Sequence, residues 1–304
     1  MSIRDVALKN ILKRRIAAEE QADKNLTQVL KDDEIKILFV ACKKLVVEIA
    51  KLEVAGRDAT EQRKKYNDNR QLIADILKSR DIEKSTLRPQ YHCDKCKDTG
   101  LVNMEDCDCL KKEMSHELIK LSGIDLDKFP RFNDDYSAFK DPKHMKDIYA
   151  YMKKFVDDYK STFYTALIMG DTGVGKTHLL GCLTTYALDK NMLIKYATAF
   201  NFNQDMLRYH CAKLEEKEEI IGQYINSEIL FIDDLGTENR INNVTNEYLY
   251  LVINERMQNH KKTVITTNLD FAQIQEVYGE RIFSRLMHKK ESLKINLSGD
   301  DLRV

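Results

Sequence analysis

Nowhere does the chain hold an uninterrupted run of about 18 apolar residues, the length a membrane-spanning helix needs, so no such helix and no membrane partner are expected. Its first 30 residues are dense in charge and lack the apolar core of a secretion signal. Charge of one sign is not in excess either. Lys+Arg and Asp+Glu number 49 each among 304 residues, which excludes a bulk attraction of the whole chain to nucleic acid and leaves only local patches. Nor do the seven cysteines suit a disulfide framework, because four of them are tightly clustered. Together these absences predict a cytoplasmic protein in a reducing compartment.

What is present centres on Gly170-Asp171-Thr172-Gly173-Val174-Gly175-Lys176-Thr177, followed by His178. The apolar run 166–169 precedes this stretch and a helical pattern, 177–183, leaves it, which is the setting a phosphate-binding P-loop requires. The glycines let successive N–H groups point at one anion, helped by the helix N-terminus. Residues 170–178 are therefore the expected contacts of ATP or ADP. Lys176 is placed to reach the β- and γ-phosphates, and the Thr177 hydroxyl to ligate Mg²⁺.

Around that loop, apolar runs alternate with helical patterns. Strands are expected at 166–169, 193–197, 229–234, 263–268 and 293–297, with helices at 145–159, 200–217, around 248–257, and 281–288. The alternation predicts an α/β fold, a parallel sheet with helices on both faces and ligands at the carboxyl ends of the strands. Asp233 and Asp234 close a wholly apolar run, Ile229-Leu230-Phe231-Ile232. As a Walker B pair, Asp233 would hold Mg²⁺ and Asp234 would orient or activate the attacking water. Asn268, polar at the end of another apolar run, fits a γ-phosphate sensor.

Three segments are expected: 1–88, 89–115 and 116–304. The first reads as helices at 2–16 and 33–55, plus a third capped by Asp58 and Glu61. In the second helix Ile35, Leu38, Cys42, Leu45, Ile49 and Leu52 step by three and four, a narrow stripe suited to another helix. A helical domain ahead of an ATPase core suits partner docking. The middle segment holds Cys93, Cys96, Cys107 and Cys109, whose spacing predicts a structural Zn²⁺ site with no open coordination position. Lys95, Lys97, Lys111 and Lys112 would partly offset the thiolate charge. The Cys-x-Cys half is tight, so His92 or His116 could replace one thiolate.

An ordered set of motifs carries a family resemblance: the P-loop, Ile-Asp-Asp-Leu-Gly at 232–236, Thr-Thr-Asn at 266–268, Gly-Glu-Arg at 279–281 and Ser-Arg-Leu at 284–286. Over roughly residues 130–304 it resembles the AAA+ ATPases that load the bacterial replicative helicase, the DnaC/DnaI-like loaders. The cysteine segment is similar to a module found in some of them. The resemblance implies an AAA+ core without a C-terminal lid, self-association through that core, and docking of 1–88 on a hexameric helicase. It implies Arg285 as an arginine finger acting on the neighbouring subunit, with Arg281 the alternative, and Arg303 as the second sensor. It also implies a single-stranded DNA contact after the second core strand, where Lys195, Tyr196, Phe200, Phe202, Arg208 and Tyr209 stand; packing in the core is the competing role for each aromatic. Two other readings share the core: an IstB-type transposition accessory ATPase, and a nucleotide-switched adaptor with little turnover.

Overall fold

The computed structural model describes residues 2–121, 125, 128–133, 135–158 and 163–302; Arg303 lies outside the described residues. The chain divides into two compact units, residues 8–105 and residues 1–7 with 106–304. Helices α1 (Ile3–Val29, in the first unit from Leu8 onward), α2 (Asp33–Val54) and α3 (Thr60–Ser79) precede a short hairpin, β1 (Leu101–Val102) with β2 (Glu105–Asp106), at whose last strand that unit ends. The Asp32 carboxylate caps α2 by accepting from the N–H groups of Glu34 and Ile35. The expected Asp58–Glu61 cap is not formed. Asp58 accepts from Thr60 in a local turn, while Glu61 pairs with Lys65 one helical turn on. Ile35 packs with Val29 and Leu77, so the predicted stripe of α2 faces α3. A second row on α2, including Ile37, Val40, Val47 and Val54, is exposed.

The second unit runs α4 (Asp108–Leu121), α5 (Pro142–Asp157), β3 (Thr165–Gly170), α6 (Lys176–Asp189), β4 (Ile194–Thr198), α7 (Ala199–Cys211), α8 (Leu214–Asn226), β5 (Ile229–Leu235), α9 (Thr245–Gln258), β6 (Lys262–Thr267), α10 (Phe271–Leu286) and β7 (Ser292–Leu297). The five long strands form one parallel sheet in the order β4-β5-β6-β3-β7. Alternate residues face opposite sides, as strand geometry dictates. Ala166, Ile168, Tyr196, Phe231 and Val264 pack with α5 and α6 in one core, and Leu167, Met169, Ile232 and Ile265 with α7 to α10 in another. Burial on both faces explains the near-continuous apolar runs. The expected α/β class is therefore present.

Two helical expectations are corrected. The single helix at 200–217 is two, because Ala212 and Lys213 are extended (ψ 160 and 162) and α8 restarts with Glu215 and Glu216 in its first turn, where acids favour a helix start. The helix at 281–288 is the second half of α10, which begins ten residues earlier behind an Asp270–Gln273 capping box. The helix expected to reach Tyr159 ends at Asp157, and Tyr159 lies outside the described residues. Among the described residues, no helix is long and apolar enough to cross a membrane.

Candidate nucleotide site and cysteine cluster

The strand order places β6 between β3 and β5, so the P-loop, Asn268 and the Asp233–Asp234 pair emerge side by side at the carboxyl ends of adjacent strands. They share a cleft of about 620 Å³ lined by Thr172, Gly173, Gly175, Lys176, Thr177, His178, Asp234 and Asn268, with Asn133, Asp135, Ala138, Phe139 and Leu302 on the remaining wall. Gly175 caps α6 with φ 92, and Gly173 has φ 89, left-handed values that favour glycine. At Gly173 space is also closed, since a Cβ there would come within 2.0 Å of the Asp301 carboxylate. Lys176 is buried, and its ammonium donates to the carbonyls of Gly170 at 2.8 Å and Asp171 at 2.6 Å.

Asp233 is buried and hydrogen-bonded on both oxygens. Oδ1 accepts from Thr177 Oγ1 at 3.2 Å and Thr266 Oγ1 at 2.6 Å, and Oδ2 accepts from the Tyr196 hydroxyl at 2.8 Å. Burial, then the Asp233 charge, pushes the Tyr196 phenol well above its ordinary range, so it stays a donor. Asp234 is half-buried and adopts φ 57, a left-handed conformation uncommon outside glycine. The β5–β6 register shifts at this turn. Such strained turns recur where a side chain must be re-aimed at a ligand.

Several residues depart from their expected places. Lys195, Tyr196 and Phe202 are buried, so they are core residues and not an exposed nucleic-acid surface. Lys195 sits over the Tyr224 ring, and Phe202 packs edge-on against the same ring, 5.2 Å between centroids. Phe200 remains exposed, while Tyr209 stacks edge-on with Tyr248, 4.9 Å away. Arg208 stays largely exposed and reaches Asp205. Arg281 and Arg285 lie on α10 with their guanidinium groups 4.1 and 5.9 Å from the Tyr250 ring centre, and Arg285 Nε donates to Asn254 Oδ1 at 3.1 Å. These two cations hold the Tyr250 phenol below its ordinary range, Arg285 more than Arg281.

Tyr196 and Thr266 as partners of Asp233, and Phe139 as part of the cleft wall, are not among the expectations from the sequence. Phe139 lies beside Gly175 and packs against Tyr149, which shares a 2.9 Å hydrogen bond with His178. Its aromatic-rich neighbourhood was the available signal.

The four clustered cysteines come together. One sulfur from each of Cys93, Cys96, Cys107 and Cys109 lies within 4.8 Å of the others. A tetrahedral zinc with 2.3 Å bonds needs sulfurs about 3.8 Å apart, a spacing that falls within this limit, and four thiolates are a donor set that suits zinc. The buried Asp98 carboxylate accepts from the N–H groups of His92 and Cys93 and shapes the first turn. Cys107 immediately precedes α4 and Cys109 sits in its first turn, where the helix dipole favours thiolate. A helix start thus accommodates the tight Cys-x-Cys spacing.

The IstB-like ATP binding protein family matches residues 114–304, well over half of the chain. The chain belongs to this family. The chromosomal replication initiator protein DnaA of Streptococcus thermophilus is 29% identical over 151 residues, 49% of this chain and 32% of that protein. A protein of insertion sequence IS5376 from Geobacillus stearothermophilus is 27% identical over 144 residues, 45% of this chain and 55% of that protein. The chain therefore spans about a third to a half of the length of these relatives. Among solved structures, DnaI is similar at 21% identity with a TM-score of 0.42, covering 61% of this chain and 93% of that one. The DnaC helicase loader is similar at 23% identity with a TM-score of 0.40, covering 58% and 98%.

Proposed function

We propose that the protein is an ATPase that loads the replicative DNA helicase. The observation that carries this reading is the convergence of Lys176, Thr177, Asp234 and Asn268 on one cleft, with Asp233 bonded behind them, in a chain that adds its own helical segment ahead of the ATP-binding core. P-loop amides and Lys176 suit the phosphates of ATP or ADP. Thr177 and Asp233 offer the hard oxygen donors that Mg²⁺ takes, and Mg²⁺ there would neutralise charge on the transferred phosphoryl group. Asp234 orients or activates the attacking water, and Asn268 holds it from the adjacent strand. Arg285, with Arg281 as alternative, supplies a cation to a neighbouring subunit when the core self-associates; Arg303 is the proposed second sensor.

In this reading residues 1–88 dock on the hexameric helicase, 89–115 form the zinc module and 116–304 the ATPase domain. The exposed row Ile37, Val40, Val47 and Val54 on α2 gives the docking segment an apolar face. Single-stranded DNA contact falls to Phe200, Arg208 and Tyr209, the members of the earlier set that reach the surface. The similarity to DnaA supports a role in replication initiation. The IS5376 relative favours a second reading, an IstB-type transposition ATPase.

Two measurements test the proposal. ATP turnover with and without single-stranded DNA separates an ATPase from a nucleotide-switched adaptor, which would bind but scarcely turn over. Co-purification with the host replicative helicase should succeed with the full chain and fail once residues 1–88 are removed. Equal capture by both chains, or by neither, overturns the loader reading.

A further inference from the structure

The loop after Asp233–Asp234 is tied to the helix that carries both candidate arginines. Glu238 is buried in that loop. Its Oε2 accepts from the Gly236 N–H at 2.9 Å, and its Oε1 accepts from the Tyr278 hydroxyl on α10. Burial, then the Glu238 charge, raises the Tyr278 phenol far above its ordinary range, so it remains a donor. One residue before Tyr278, the Val277 carbonyl accepts from Arg240 of the same loop at 2.6 Å.

One residue after Tyr278, α10 breaks. Gly279 has φ 80 and ψ 169, so the helix is two segments joined at a glycine. A Cβ at Gly279 would meet nothing within 4 Å, so glycine is needed for the backbone angle and not for space. The first segment is clamped by the loop through Val277 and Tyr278. The second carries Arg281 and Arg285, stacked on Tyr250.

At its other end the loop starts from the strained residue. The Asp234 carbonyl accepts from the Thr237 hydroxyl at 2.8 Å and its N–H at 3.2 Å, and Asp234 itself lines the nucleotide cleft. A change in this turn is carried to Glu238 within four residues. A buried carboxylate with a donor on each oxygen holds its partners in fixed geometry, so the displacement passes to Tyr278.

We propose that Glu238 and Tyr278 are positioning residues that pass the state of the Asp233–Asp234 turn across the Gly279 break to the arginine-bearing segment 280–286. This rests on the nucleotide-binding reading of the cleft. The latch works within one chain, so it bears on whichever arginine is used.

Amide hydrogen exchange of the full chain, with and without Mg²⁺ and a non-hydrolysable ATP analogue, tests it. In the wild type the analogue should slow exchange at 170–177 and also change exchange at 280–286. Tyr278→Phe, which removes one hydroxyl and keeps the ring, should retain the first effect and lose the second. Glu238→Gln should do the same by weakening the acceptor for Gly236. An unaltered response at 280–286 in both variants overturns the latch, as does a wild type that responds at 170–177 alone. A wild type silent at 170–177 overturns the nucleotide reading itself, and the latch with it.

Discussion

Tyr196 donates its hydroxyl hydrogen bond to Oδ2 of Asp233 at 2.8 Å, linking strand β4 to the carboxylate expected to hold Mg²⁺. Tyr196→Phe keeps the ring and removes only that donor. A lost hydrogen bond to a charged group costs about 1.5–3 kcal/mol, so the variant should be less stable to denaturant by that order. The Mg²⁺ concentration for half-maximal ATP turnover should also rise, because Asp233 loses one of the groups that orient it. A Mg²⁺ titration matching the wild type would show that the bond does not position Asp233.

That role was not legible in the sequence, where Tyr196 stands 37 residues from Asp233. It depends on β4 pairing with β5 in a register that sets Tyr196 opposite Phe231 and Thr198 opposite Asp233. The strands themselves were legible, because burial on both faces writes each as an apolar run. The P-loop was legible because its glycines, Lys176 and Thr177 are adjacent in the chain. The break between α7 and α8 was not, since Ala212 and Lys213 carry no glycine or proline signal. The start of α10 is less legible although Asp270 and Gln273 have capping-box spacing, because Gly279 breaks the helix and separates its first half from the stretch beginning at Arg281.

Lys176→Ala removes the ammonium that now contacts the loop carbonyls of Gly170 and Asp171. Loss of one charge-assisted contact to phosphate should weaken ATP binding on the order of 10- to 100-fold. Asp233→Asn keeps the shape of the carboxylate and removes its charge, so binding should fall less than Mg²⁺-dependent turnover. Fluorescent-nucleotide titration and a turnover assay separate the two effects. Normal hydrolysis by Lys176→Ala would show that the P-loop is not the working site.

The cysteine cluster should hold about one zinc per chain, as four converging thiolates imply. Cys93→Ser and Cys109→Ser should each release the metal while nucleotide binding stays largely intact, since neither residue lines the cleft. Metal analysis of protein purified under reducing, chelator-free conditions decides this. Absence of zinc in that sample would leave the cluster as four thiols.

Lys262 gives the fold a pH signature. Its ammonium is buried and donates to the carbonyls of Phe155 and Val156 in the last turn of α5 and to that of Asp158. Burial lowers its pKa from 10.5 to about 8. The folded pKa lies below the unfolded one, so between about 8 and 10.5 the unfolded chain binds more protons and this group's contribution to stability rises with pH. Below 8 the cost of burying the charge is felt in full. Thermal unfolding of the wild type and Lys262→Met should therefore show the wild type gaining on the variant as pH is raised from 8 to 10. A constant difference across that range would show that Lys262 does not titrate there.

Arg285 shares the Tyr250 ring with Arg281, yet neither arginine is among the residues lining the cleft of their own chain. A cation so placed can act on the phosphates of the next subunit, where an arginine finger is worth about 10³ to 10⁵ in rate. Arg285→Ala should bind ATP nearly normally and hydrolyse it poorly. Mixing it with Lys176→Ala separates action within a chain from action between chains. In a mixed oligomer the Lys176→Ala subunit still offers Arg285 to the intact P-loop of its Arg285→Ala neighbour. Two proteins that are each inactive should then recover part of the activity. If gel filtration shows mixed oligomers and turnover stays at the sum of the two, Arg285 does not act between subunits. The same mixing with Arg281→Ala then tests the second arginine on the Tyr250 ring.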